Sequence, residues 1–455
     1  MVRPGSGVFF SEKSPLRGAE NRGAPCDRML MIDVSAHRAA LKKLLWLVVA
    51  LGAIPYCRHY WDETPGLTLY VQAARCMLDG LALQSCDPAY TYPPIFAFVT
   101  IPLVPLPRVL QNAAWYALTL GSLIGCFTQS AGLVRRLVPD DWSERDLAWL
   151  YGIGILLSLK FVFAAIGNHS YDAFVVLLVL YGLAGAAEDR SGWSSAWAGV
   201  SFACAAALKA TPLLFLPYLV IKRHYAAAVA MAIVLAFASV LPDLVFTIGR
   251  KSGDTSYFMA WLHQVAQPAL TEKLDGNLHT FWFATNPNNN SLRGLVGLFA
   301  DDHSAPANFK IAMYTVYAIY CAIVALLILR TRDGVAATTI DGALLLISML
   351  LLSPMSSQTH YVALIPAILA IVAMWRKGDP VMRKVAGFVL IAHLALTNAT
   401  SKDLVGAAVT FWAKEHRLLV SDALVFVMFF AVLVFRLQRA GAKSGAPSAI
   451  GQTAA

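Results

Sequence analysis

The sequence predicts an all-α polytopic integral membrane protein of about 12 transmembrane helices, some short or broken, with large first and middle outer loops. Three observations predict it. Hydrophobic residues make up 58% of the 455 and charged ones 14%, with a mean hydropathy of +0.60, well above the apolar share of a soluble domain. A water-soluble fold is thereby excluded. The net charge of +9 is gathered into short basic clusters at the ends of apolar runs instead of along one face. That is the pattern of cytoplasmic membrane anchoring, and it argues against a nucleic-acid partner. The apolar runs recur along the chain with no strand alternation and no visible internal repeat.

Residues 1–38 are expected to be a disordered cytoplasmic leader, since residues 1–28 are polar and lack the apolar core of a cleavable signal peptide. His37-Arg38 and Lys42-Lys43 put the start of the first span, residues 39–57, on the cytoplasmic side. The transmembrane domain then covers 39–436, with outer loops at 58–108 and 248–308 and a disordered tail at 437–455. In the first loop, residues 67–81 carry apolar side chains at helical spacing, which suits a helix lying in the interface. Pro93-Pro94 opens a short apolar piece ending at Pro105-Leu106-Pro107, too short to cross and so read as re-entrant or interfacial. Of the seven cysteines, Cys126, Cys204 and Cys321 lie in apolar runs, whereas Cys57, Cys76 and Cys86 surround this loop. A Cys76–Cys86 bridge fits a loop that reaches an oxidising compartment.

Spans are predicted over 109–134, 147–166 and 171–187. The next run, 194–221, gives roughly 42 Å of helix, too short for two full crossings and generous for one. The basic clusters Lys222-Arg223-His224, Arg330 with Arg332, and Arg376-Lys377 keep their parity only if this run is a pair of short helices broken at Lys209-Ala210-Thr211-Pro212. Residues 226–246 lead to the middle loop, and 311–329, 339–352, 361–375, 384–397 and 421–435 complete the layout with both termini inside.

Polar groups gather on the outer side: Asp62, Glu63, Asp79 and Asp87; Gly167-Asn168-His169 with Asp172; Lys209; residues 286–293; and Ser353-Pro354 through His360-Tyr361. Charges at membrane depth are costly, so such one-sided clustering points to a cavity opening outward. Asp62 or Glu63 suits a general base toward a hydroxyl, or else both are solvated loop acids. Lys160 and Lys209 sit inside apolar runs, where an ammonium can pair with a phosphate; snorkelling is the alternative for Lys160. Asn289 and Asn290 offer amides to sugar hydroxyls or simply form turns. His360-Tyr361 can meet a phosphate or anchor the interface, and Trp61, Tyr90 and Tyr92 suit a sugar platform or an aromatic belt. No CxxC or HxxxH spacing specifies a metal site.

Tyr70-Val-Gln-Ala-Ala-Arg75, Gly80, Thr91-Tyr92-Pro93-Pro94 and Pro102-Leu103 are followed in order by Gly167-Asn168, Leu208-Lys209-Ala-Thr-Pro212, Asn289-Asn290-Ser291-Leu292 and Ser353-Pro354 through His360-Tyr361. In this joint order, over about residues 40–380, the chain resembles glycosyltransferase family 87, of the C-type glycosyltransferase superfamily. The resemblance implies a membrane hexosyltransferase of mannosyltransferase type, with the C-type fold. It would move a sugar from a polyprenyl-phosphate carrier, its donor substrate, to a hydroxyl of a glycolipid or glycan acceptor. The site would face the periplasm or exterior of a bacterial cytoplasmic (inner) membrane. It also implies an inverting displacement with a first-loop aspartate as base. Many family members carry an Asp a few residues before the motif tyrosine, where this chain has Gly66, so the role falls to Asp62 or Glu63. The substrate-binding residues implied are Lys209, Asn168, Asn289, Asn290, Arg293, His360, Tyr361 and Tyr92. A departing phosphate needs a cation, which Lys209, Arg293 or His360 can supply; the sequence requires no metal and firmly implies no cofactor. A transporter or flippase, a polymerase or ligase of surface polysaccharide, and an inactive relative acting as a scaffold are the competing readings.

Overall fold

A computed structural model describes residues 58, 61, 65–138, 141–188, 193–248, 256–271, 282–300, 306–331 and 334–443. The chain divides into two compact units, Met1–Tyr56 and Cys57–Ala455, and all that follows belongs to the second. The expected leader, the span at 39–57, Asp62, Glu63 and the tail beyond 443 lie outside the described residues.

Helix α1, Pro65–Leu78, starts on a proline, whose missing N–H costs nothing in a first helical turn. It buries Leu67, Tyr70, Val71, Ala74 and Met77 and stops at Gly80, whose φ of +68° is the left-handed conformation that closes a helix. One further turn, Leu83–Cys86, brings Cys86 back to Cys76 as a disulfide with the Cα atoms 6.4 Å apart. Helix α2, Pro94–Thr100, runs into a 3-10 turn at Ile101–Leu103, and Pro102, Pro105 and Pro107 remove the donors that would extend it. The piece is short, as its prolines predict.

Seven helices among the described residues are long and apolar enough to cross a membrane. Helix α3 is Arg108–Leu137 and α4 is Glu144–Gly167, capped by the Ser143 side chain on the Asp146 N–H. Then come α5, Asp172–Glu188, and α6, Trp193–Leu208. The predicted break follows: after Leu208 the chain turns through a 3-10 piece, Thr211–Leu214, before the short α7, Phe215–Ile221. Helix α8 is Tyr225–Val245; the middle loop holds helical pieces at Tyr257–Trp261, Gln267–Thr271 and Leu292–Val296. Helix α9 is Pro306–Arg330 and α10 is Val335–Leu351; a 3-10 run, Gln358–Leu364, then feeds α11, Ile365–Lys377. Last are α12, Pro380–Leu396, α13, Lys402–Glu415, and α14, Leu418–Lys443. No strand occurs among the described residues, and the protein is a multi-pass membrane protein.

Burial sorts these helices into layers. Almost every residue of α10 and α11 is buried, the signature of a helix apolar all round and enclosed by others. They pack with α3, α4 and α5 into the centre, whereas α8 and α9 leave most of their apolar surface outward, as lipid-facing helices do. Below this core Lys222, just after α7, is locked to Asp341 of α10 at 3.1 Å and to the Thr331 hydroxyl at 2.6 Å.

Candidate active site

Lys209 follows the last residue of α6, at the break before the 3-10 piece. Lys209 Nζ meets Asp172 Oδ1 at 2.5 Å. Asp172 opens α5, where the helix dipole favours a carboxylate, and Ser170 fixes it: the Ser170 hydroxyl donates to Oδ2 and accepts the Asp172 N–H at 3.1 Å. From the far side His360 brings Nε2 to 3.7 Å from Asp172 Oδ2. Its Nδ1 accepts the Ser357 backbone N–H at 3.2 Å, so the neutral ring carries its proton on Nε2, turned toward Asp172. Asp172, Lys209, Thr211, Ser353, Ser356 and His360 line a small cavity floored by α5 and α10 side chains. Its interior has room for about one water molecule.

A wall of aromatic rings stands beside this cluster. Tyr171 packs on Phe96 at 4.3 Å and on Tyr92 at 5.2 Å between centroids, and Tyr70 lies within 5.5 Å of Tyr92. Burial and then the nearby Asp172 carboxylate push the Tyr92 phenol up to about 12, so it stays a hydroxyl. The start of the first loop is seated on the same region. Trp61 stacks on Tyr116 at 5.8 Å, and Tyr116 lies 4.9 Å from the His169 ring. A Cβ on Gly66 would stand 2.6 Å from the Asn168 carbonyl oxygen. The first loop thus meets the α4–α5 turn backbone to backbone, and no side chain fits at position 66 without a shift.

These features can be set beside known proteins. The sequence profile described as "Glycosyltransferase family 87" matches residues 90–354, more than half of the chain. The chain belongs to glycosyltransferase family 87. A Mycobacterium tuberculosis protein named polyprenol-phosphate-mannose-dependent alpha-(1-2)-phosphatidylinositol mannoside mannosyltransferase is 24% identical over 408 residues, covering 83% of this chain and 89% of that one. A protein of the same name from Mycolicibacterium smegmatis is 23% identical over 403 residues, covering 81% and 79%. The crystal structure of ArnT from Cupriavidus metallidurans in the apo state aligns over 89% of this chain and 79% of its own at 14% identity, with a TM-score of 0.39.

In this family 87 enzyme the candidate residues divide by position. Lys209 and His360 share the cavity, and Tyr92 stands in the aromatic wall beside it. Asn168 ends α4 with its amide on the Ala164 carbonyl and its side chain exposed. Asn289, Asn290, Arg293 and Tyr361 are not brought into the cavity. The Asn289 amide donates to the Pro354 carbonyl at 3.0 Å and its oxygen accepts from Ser291, while the Asn290 N–H and the Ser356 carbonyl are joined at 2.6 Å. Tyr361, fully buried, donates to the Asn290 carbonyl at 2.7 Å. Arg293 is buried over the Phe309 ring at 5.4 Å. Together these groups hold the middle loop down on residues 353–361, where two cavity serines lie. Lys160 is spent differently again, donating to the Thr397 carbonyl at 2.8 Å and the Thr400 hydroxyl at 3.2 Å. The residue that sequence reasoning passed over as a site member is Asp172, although an acid two residues after a serine at the head of an apolar run is a readable signal. Among the described residues no group of three or more His, Cys, Asp or Glu is placed to hold a metal ion.

Proposed function

We propose that this membrane glycosyltransferase moves mannose from a polyprenyl-phosphate carrier to a hydroxyl of a glycolipid or glycan at the outer face of a bacterial cytoplasmic membrane. The donor and sugar follow the two mycobacterial relatives, whose names state polyprenol-phosphate-mannose dependence. The single observation that carries the reading is the meeting of Lys209, Asp172 and His360 at one small, mostly apolar-walled cavity inside the helix bundle. Lys209 and His360 are donors suited to an anionic phosphate, and a lipid tail has the flanking bilayer for solvent.

In the reaction the acceptor oxygen forms a bond to the anomeric carbon as the bond from that carbon to the phosphate oxygen breaks. The acceptor proton passes to Asp62 or Glu63, and the polyprenyl phosphate leaves with the electron pair, its charge met by Lys209 and the His360 Nε2–H. The displacement inverts the anomeric centre. Trp61 and Gly66 bracket the two acids in sequence; Gly66 lies against the backbone of the 167–172 turn that also carries Asp172, and Trp61 stacks on Tyr116 of α3, itself beside His169 of that turn, which supports a shared chamber.

The test is transfer from radiolabelled polyprenyl-phosphate mannose by the purified full chain in the presence of a lipid extract. The base should show as a loss of about 10²–10⁴-fold in either Asp62→Ala or Glu63→Ala, with the other near wild type. Full activity in both variants removes the first-loop base, and uptake of the donor without covalent transfer removes the reaction.

A further inference from the structure

The proposed function leaves Asp172 unexplained, and its position is chemically awkward. A buried carboxylate stands where a phosphate is supposed to bind, and like charges at contact distance repel strongly in an apolar surround. It is not free to act as a base either, because Lys209 occupies Oδ1 while Ser170 holds Oδ2 with His360 beyond it. Nor is its partner saturated. Among the described residues Lys209 donates only to Asp172, and an ammonium carries three N–H groups. The cavity beside them admits about one water, so a phosphate enters only if something already there gives way.

We infer that Asp172 is a positioning residue that keeps Lys209 and His360 in place in the empty site and yields them to the phosphate of the arriving donor. The inference rests on the phosphate reading of Lys209 given above. In the empty enzyme the ion pair spares an apolar bundle from an uncompensated ammonium. On donor binding Lys209 turns two of its donors to the phosphate and His360 gives its Nε2–H, while Asp172 retains the Ser170 hydroxyl. The carboxylate then sets a limit on how tightly the phosphate is held. After transfer the product is a polyprenyl phosphate with more negative charge than the donor's diester, and Asp172 reclaiming Lys209 helps to expel it. Asp172 thus trades affinity for release.

This gives a sign that a merely structural carboxylate would not produce. Asp172→Asn keeps the shape and the Ser170 contact but removes the repulsion, so polyprenyl phosphate should bind at least ~3-fold more tightly to the detergent-purified full chain at low salt. In the transfer assay the same variant should lower KM and kcat together, with product release slowed. Lys209→Gln should bind polyprenyl phosphate at least ~10-fold more weakly. Binding to Asp172→Asn that is unchanged or weaker, with Lys209→Gln still weakened, overturns the positioning role and leaves the phosphate site standing. Unchanged binding in Lys209→Gln overturns the phosphate site itself. The wild type supplies a readout that needs no variant to fold: polyprenyl phosphate should shift a carboxylate band in the infrared difference spectrum, and no such shift overturns the inference.

Discussion

Of the lysine–aspartate pairs among the described residues, Lys222–Asp341 and Lys209–Asp172 differ in what surrounds them. Lys222 and Asp341 are 3.1 Å apart, and the lysine also gives protons to the Thr331 hydroxyl at 2.6 Å and carbonyl at 3.1 Å. The threonine hydroxyl in turn lies 2.8 Å from Asp341 Oδ1. Every donor of that ammonium is used, Asp341 is fully buried, and the pair ties α10 to the segments after α7 and α9. Lys209 and Asp172, 2.5 Å apart, sit at a cavity; among the described residues the lysine has donors to spare, and His360 lies 3.7 Å from the carboxylate. Saturation marks the first pair as architecture, and incompleteness marks the second as a site waiting for an anion.

The largest effect that would break this contrast is on activity. Lys209→Ala should cost about 10²–10³-fold in transfer rate, the range expected when a preorganised donor to a developing charge is lost, with a fall in melting temperature well short of unfolding, because Asp172 keeps the Ser170 hydroxyl. If Lys209→Ala unfolds the protein instead, the two pairs are alike and the contrast falls. Stability is the second readout. Lys222→Met strands the Asp341 charge in the core and should cost about 3–5 kcal/mol, read as a large fall in melting temperature, while the folded fraction keeps its turnover. Adding Asp341→Leu should restore most of that loss, because the penalty belongs to the stranded charge and not to the missing contact.

How much of this was legible in the sequence follows from the range of each interaction. The break at Lys209 was readable because its cause is local: Pro212 cannot donate and disfavours helix in the residue before it. The short piece after Pro94 was readable for the same reason, and so was the pairing of Cys76 with Cys86, ten residues apart. Partnership at long range was not readable. Asp172 meets Lys209 across 37 residues and Asn289 meets Pro354 across 65, and no periodicity encodes such pairs. That distance is why the Asn289-Asn290 amides looked available for sugar hydroxyls when the fold spends the Asn289 amide on its own backbone. Helix α13 was missed because its apolar residues, Leu404, Val405, Val409, Phe411 and Trp412, are interrupted by Gly406 at φ +79° and make no span-length run.

Another buried titratable group sharpens the contrast from the other direction, since among the described residues it has neither a saturated network nor an ion pair. His169 is fully buried on the turn between α4 and α5, and among the described residues neither ring nitrogen makes a hydrogen bond of ordinary geometry. Burial first and the charge of Arg108 second lower its pKa to about 4 from 6.5, against a weak opposing pull from the backbone of Gly167. The folded state therefore holds a neutral imidazole while the unfolded chain takes up a proton near pH 6.5. Stability from this group is intact above that pH and drains away as pH falls toward 4, by up to about 3 kcal/mol. Melting temperature measured from pH 7.5 down to 5 should fall with this slope in the wild type. His169→Asn, chosen because asparagine tolerates the left-handed backbone that His169 adopts at φ +53°, should flatten it. An equal slope in both proteins would mean that His169 is reached by water or by a carboxylate in solution, and the region beneath the first loop would then be open where the fold now makes it dry.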